Sequence, residues 1–223
     1  MSRAQSREQK YFISFSLHFG SLFSKRARSM TGRRLIIYSI TIIISLSAVH
    51  TSRAADDGWS LCRDFSKGRW RTEIASTTGT ISNQWPDREK DYFVLGSVEY
   101  EWPIHSHTTC SLRGSPLFLY NLHGDGNYDS THIYGAALGL AFRLYENKEP
   151  TGLFAEVGSS ALWHSDYFPG NNSKLNFITD VGVGYEFENH ISIAVKYFHI
   201  SNANLEEHNS QLDAIGASLA YAF

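Results

Sequence analysis

The stretch Leu175-Asn-Phe-Ile-Thr-Asp-Val-Gly-Val-Gly-Tyr-Glu-Phe187 decides how this chain folds. Read as an extended strand, Leu175, Phe177, Thr179, Val181, Val183, Tyr185 and Phe187 share one face. Asn176, Asp180, Gly182, Gly184 and Glu186 share the other, with Ile178 the apolar exception. Successive side chains of a strand point to opposite faces, so a period of two means one apolar side and one polar side. The next stretch repeats it, with Ile191, Ile193, Val195 and Tyr197 opposite Ser192, Ala194 and Lys196. So does the preceding one, with Leu153, Ala155, Val157 and Ala161 opposite Glu156, Gly158 and Ser160. Further upstream, Tyr92, Val94, Val98, Tyr100 and Trp102 oppose Ser97, Glu99 and Glu101.

Working outward, eight such segments cover 69–82, 91–102, 109–120, 131–145, 151–163, 174–187, 190–201 and 210–223. Turn residues separate them and none shows a helical period. Their polar faces collect Arg71, Glu73, Glu99, Glu101, Arg113, Arg143, Glu156, Asp180, Glu186 and Lys196. Both signs are present, as a buried network filling a narrow barrel requires.

A soluble sandwich or a lipocalin-like barrel shows the same alternation, and polarity alone does not separate it from a membrane barrel. Two further features favour the membrane. Trp70, Tyr92, Tyr100, Trp102, Tyr120, Tyr145, Trp163, Tyr185 and Tyr197 lie near segment ends, where interfacial girdles form. The last segment ends in Tyr221-Ala-Phe223, which resembles the C-terminal signature of outer-membrane barrels. The fold class expected is therefore all-β: an eight-stranded antiparallel outer-membrane β-barrel. With a periplasmic N-terminus, the longer connections 82–91, 121–131, 163–173 and 202–209 face outward, and the turns 103–108, 146–150 and 188–189 face inward.

The chain has 223 residues and a formal net charge of −2. Its longest apolar run, Leu35 to Val49, is about 15 residues against the ~20 that a helical span needs, so a polytopic helical membrane protein is excluded. Arg33 and Arg34 precede that run, and Ser52 and Ala54 follow it as small residues at a cleavage site. Residues 1–54 thus read as an N-terminal extension and signal peptide, with an uncleaved anchor as the alternative, and 55–223 as the barrel. Met30 stands where a signal peptide normally starts. The leader carries nine basic residues and one acid, the remainder eleven basic and 21 acidic, so the exported part is acidic. Nothing in this charge points to nucleic acid. Cys62 and Cys110 are the only cysteines, enough for one disulfide but too few for a soft metal site.

The chemistry concentrates in His199-Ile-Ser201-Asn202-Ala203-Asn204 and Asn209-Ser-Gln-Leu-Asp213. The parity that turns Ile191 to Tyr197 outward also turns His199 and Ser201 outward, and Ile215 to Phe223 carry Asp213 with them. A hairpin centred near Glu206 sets His199 opposite Asp213, with Cβ atoms about 5 Å apart. Three polar residues then converge on a face that should be apolar, which costs stability without a purpose. They match a nucleophile (Ser201), a base (His199) and an orienting carboxylate (Asp213). Amides after Ser201, with Asn202 or Asn209, are the oxyanion candidates. The bland reading makes His199 a girdle residue, Ser201 a loop start and Asp213 a group at the wet margin.

His-x-Ser-Asn-Ala, a later Asn, and an acid fourteen residues after the His resemble the lipid A 3-O-deacylase (PagL-type) family. The resemblance implies an outer-membrane serine esterase of the carboxylic ester hydrolase class. Its substrate would be lipid A or lipopolysaccharide, from which it removes the 3-O-linked hydroxyacyl chain. It carries the base to His199, the nucleophile to Ser201 and oxyanion roles to Asn202 and Asn209, with Asp213 where the family has Glu. No cofactor or metal is implied. Outer-membrane lipid is the surrounding partner, no nucleic acid is expected, and a homodimer is left open. The rival functions are a structural or adhesive barrel, and a phospholipase or acyltransferase using the same three residues. Outside this site, His105 and His107 have a spacing that binds metal or makes a plain polar turn. His123 to Asn127, Phe168 to Asn172, and Glu206 to His208 read as loops.

Overall fold

The computed structural model describes residues 65–80, 90–123 and 131–223. A short 3-10 turn, Phe65–Lys67, leads into β1 (Arg69–Thr80), β2 (Tyr92–His105), β3 (Thr108–Leu122) and β4 (Thr131–Tyr145). These are followed by β5 (Gly152–His164), β6 (Leu175–Glu186), β7 (Ile191–Ser201) and β8 (Leu212–Ala222). Each strand pairs antiparallel with the next and β1 pairs with β8, so the sheet closes into the expected eight-stranded barrel. Closure leaves no row of unpaired backbone groups, the condition for a sheet to sit in hydrocarbon. The leader read over 1–54 and Cys62 lie outside the described residues. Cys110 is a free, buried thiol packed with Trp102 and Ile104.

The turn between β2 and β3 is tighter than the stretch 103–108 suggested: only Ser106 and His107 separate the strands. Pro103 stays within β2 because the register shifts between Pro103 and His105, which suits a residue with no N–H to give the ladder. Among the described residues no group of three His, Cys, Asp or Glu is arranged to hold a metal.

The ten charged residues assigned to the inner face are all buried. Arg143 bridges Glu99, Glu101 and Glu156, and Arg113 bridges Glu99, Glu156 and Asp180 at 2.6 to 2.7 Å. Lys196 joins Glu73 and Glu156, while Arg69 and Arg71 hold Glu186. Burying any one of these charges alone would cost several kcal/mol, about what the paired network offsets.

The lumen is charged over only part of its length. Toward the end that carries the longer loops, Phe93, Leu95, Phe118, Leu162, Ile178, Phe198, Ile200 and Leu212 form an apolar layer. There both faces of several strands are apolar, so alternation loses its contrast. Phe168, from the β5–β6 loop, inserts into this layer edge-on to Tyr120, with ring centroids 5.1 Å apart.

Two of the nine aromatics read as girdle residues point inward instead. Tyr145 donates to Glu101 at 3.0 Å within the charged layer. Tyr120 donates to the buried Asp91. In β3 the register shifts around Pro116 against both neighbours, between Gly114 and Leu117 facing β2 and between Ser115 and Phe118 facing β4. One extra residue there inverts the parity, turning Phe118 and Tyr120 in and Leu117 out. Trp102 keeps its outward parity but is covered by Phe65, with ring centroids 5.0 Å apart. Much of the outer wall is exposed and apolar, with Ile74, Leu112, Leu138, Trp163, Val183, Val195 and Leu219 among its members.

Candidate active site

The last outward positions of β7 are Tyr197, His199 and Ser201, while Phe198 and Ile200 point into the apolar layer. Across the hairpin His199 is the partner of Asp213, as counting outward from Glu206 requires. On the other side, His199 faces Thr179 and Ser201 faces Phe177 of β6. The outward face of β7 thus changes from Val195 to polar residues one turn of the pleat before the strand ends.

The three side chains form a line. His199 Nδ1 donates to Asp213 Oδ1 at 2.7 Å, since a carboxylate only accepts. With the proton on Nδ1, Nε2 is the acceptor for the Ser201 hydroxyl at 3.1 Å. His199 is 3% exposed and Ser201 2%, so the patch is covered rather than laid open on the wall. Asp213 remains 26% exposed. Poor solvation strengthens each charge-assisted bond in the line and keeps the hydroxyl from bulk water.

Immediately after Ser201 the backbone leaves the strand. Ala203 and Asn204 take left-handed conformations with φ of 54° and 62°, which cost a side-chain-bearing residue roughly 1 kcal/mol or more each. Asn202 stabilises this turn by accepting the Asn204 N–H on its Oδ1 at 2.8 Å. Its own N–H is capped by Asn209 Oδ1 at 2.9 Å. The Asn202 side-chain amide donates to His208 O at 3.0 Å and to Asn171 Oδ1 at 3.3 Å. Both ends of Asn202 are therefore engaged in shaping the turn. Asn209 gives one amide hydrogen to Asn204 Oδ1 at 3.2 Å and is only partly buried. The Ala203 N–H has no acceptor among the described residues.

The structure brings His199, Ser201 and Asp213 together, and sets Asn202 and Asn209 in the adjoining turn. It also adds residues that the sequence reading left out. Tyr197 donates to Asp213 Oδ1 at 2.7 Å. Its shared parity with His199 is the signal that the sequence carries for it. Asn171 pairs with Asn209 across the two loops, and nothing in a loop sequence marks that contact.

A family model described as lipid A 3-O-deacylase (PagL) matches residues 95–222, which takes in most of β2, all of β3 to β8 and the whole site. Among solved structures, the chain resembles the outer membrane enzyme PagL at 19% identity and a TM-score of 0.50, over 67% of this chain and 98% of that one. It also resembles Neisserial surface protein A at 12% identity and a TM-score of 0.45, over 70% and 97% of the two chains. No curated protein sequence matches it. The solved PagL structure shares its fold, and the family model spans more than half of the sequence. The chain belongs to the lipid A 3-O-deacylase family and is a bacterial outer-membrane β-barrel.

Proposed function

We propose that this barrel hydrolyses the ester that joins the 3-O-linked hydroxyacyl chain to lipid A, with Ser201 as nucleophile, His199 as general base and Asp213 as its orienting carboxylate. The observation that carries this reading is the hydrogen-bonded line from Ser201 Oγ through His199 to Asp213 on the outer wall. Such a line of buried polar groups is otherwise a desolvation cost without return. Its place beside the longer loops matches the depth at which the sugar esters of an outer-leaflet glycolipid lie, with acyl chains along the wall below.

In the reaction, Ser201 Oγ attacks the ester carbonyl carbon as its proton passes to His199 Nε2. Asp213 stabilises the imidazolium and holds the tautomer. The oxyanion of the tetrahedral intermediate is met by the Ala203 N–H and the second amide hydrogen of Asn209, with Asn202 holding the turn that aims them. Collapse breaks the bond to the sugar oxygen, which takes the proton from His199, and leaves an acyl group on Ser201. Water, deprotonated by His199, then releases the 3-hydroxy fatty acid and restores the hydroxyl.

The test is Ser201→Ala in purified, folded protein with lipopolysaccharide. Release of hydroxy fatty acid by the parent and its loss in the variant is the expected result. Undiminished release from the variant overturns the assignment. Mass spectrometry of lipid A from cells with and without the protein adds the direction: loss of one hydroxyacyl mass is expected, and a gain of acyl mass would mean acyl transfer instead.

A further inference from the structure

Tyr197 stands two residues before His199 on the outward face of β7, and its partner on β8 is Ile215, two residues beyond Asp213. Asp213 is therefore its diagonal neighbour, within reach of a long side chain. Tyr197 Oη donates to Asp213 Oδ1 at 2.7 Å, and His199 Nδ1 donates to that same oxygen at 2.7 Å. One carboxylate oxygen is thus gripped from both sides along β7.

The grip matters because of where Asp213 sits. His199 and Ser201 are closed off, but the carboxylate is a quarter exposed. An aspartate has a short side chain and meets the imidazole from one narrow range of rotamers. At the strand end, water competes for its oxygens in every other range. A second donor approaching along the same wall restricts the carboxylate to the range that serves His199. The cross-strand partners of His199 are Thr179 and Asp213, so no other charged side chain stands in register to take over that task.

We infer that Tyr197 is a positioning residue of this site: its hydroxyl holds the Asp213 carboxylate in the orientation that supports His199, in addition to any part its ring plays in the aromatic wall. The inference rests on the proposed Ser201–His199–Asp213 chemistry and deepens it.

The experiment compares Tyr197→Phe with the parent, each also in an Asp213→Glu background, all confirmed as folded barrels by heat-modifiable gel mobility. A hydrogen bond to a charged group is strong enough that Tyr197→Phe should lower kcat about tenfold or more, with KM within about twofold. The longer carboxylate of Asp213→Glu has the reach to meet His199 without the phenol. There the same change should cost less than about twofold, a non-additivity that a simple packing role does not produce. Tyr197→Met, which fills the wall without a hydroxyl, should follow Tyr197→Phe. A second readout is the His199 Nδ1–H proton resonance in detergent micelles: present in the parent, lost to solvent exchange in Tyr197→Phe. A Tyr197→Phe variant with parental kcat and an intact resonance overturns the inference, as does an equal loss in both backgrounds. If Ser201→Ala keeps full activity, the hydrolase reading fails separately, and the resonance alone decides the role of Tyr197.

Discussion

Asn171 in the β5–β6 loop accepts a hydrogen bond from the side-chain amide of Asn202 in the β7–β8 loop, at 3.3 Å. Asn171 in turn donates to Asn176 at 2.8 Å, and Asn176 donates to the buried His164 Nε2 at 2.6 Å. The turn that follows Ser201 is thereby anchored to a neighbouring loop as well as to its own hairpin. Asn171→Ala takes the donor from the buried Asn176 carbonyl and one of its two acceptors from the Asn202 amide, at a cost of about 1–3 kcal/mol. Hydroxy fatty acid release should fall several-fold while the barrel stays folded, as read by heat-modifiable mobility. Unchanged turnover would show that the β7–β8 loop holds its shape alone.

Asp213→Asn keeps the shape of the orienting group and removes its charge. The amide offers His199 a donor as readily as an acceptor, which favours the wrong tautomer. Loss of kcat by about a thousandfold or more is expected, by analogy with the same change in serine hydrolases, with KM little altered. Steady-state kinetics on lipopolysaccharide measure both. A loss below about threefold would exclude Asp213 as the orienting carboxylate.

Gly158 is the cross-strand partner of Asp180 inside the charged layer. A Cβ at that position would lie 2.6 Å from both Arg113 Nη1 and Asp180 Oδ1, pressed against two atoms that now bond at 2.7 Å. Gly158→Ala should therefore push on both members of this buried ion pair. Overpacking and a weakened buried pair together should cost about 2–5 kcal/mol, measured as a lower unfolding midpoint in urea. Activity in the variant that remains folded should be near parental, because the change lies on the inner face of the wall and the site on its outer face.

Phe168 is the one aromatic of the β5–β6 loop that reaches the lumen, packing on Phe118, Tyr120 and His164. Phe168→Ala leaves a cavity in the apolar layer and should destabilise by about 3–5 kcal/mol. Because Asn171 lies three residues further on and its N–H donates to Phe168 O at 2.9 Å, the same change should also lower turnover. Thermal unfolding and fatty acid release, measured on one preparation, separate the two effects. A variant with parental stability would mean that the loop does not depend on this anchor.

Most of this architecture was readable along the chain. Strand count, the buried charges and the meeting of His199 with Asp213 all follow from period-two alternation plus one hairpin count. Alternation alone does not place Tyr120, because the extra residue between Ser115 and Phe118 inverts the faces and a bulge leaves the local composition unchanged. Tyr145 is ambiguous for a simpler reason: an aromatic near a strand end is equally at home in a girdle or beside Glu101. The apolar layer around Phe93 and Phe198 was missed because alternation marks a face only when the other face differs from it.

By itself, then, the sequence determined what covalent geometry imposes locally: which side chains share a face, how many strands there are, and which three polar residues meet at the end of the β7–β8 hairpin. Only the tertiary structure decided what depends on closure and on loops meeting. It sets the register of β1 on β8, fills the upper lumen with Phe168, joins Asn171 to Asn202 and turns the Tyr197 hydroxyl onto Asp213. These contacts arise from register, bulges and side-chain reach across separate segments, and none of them leaves a period in the chain.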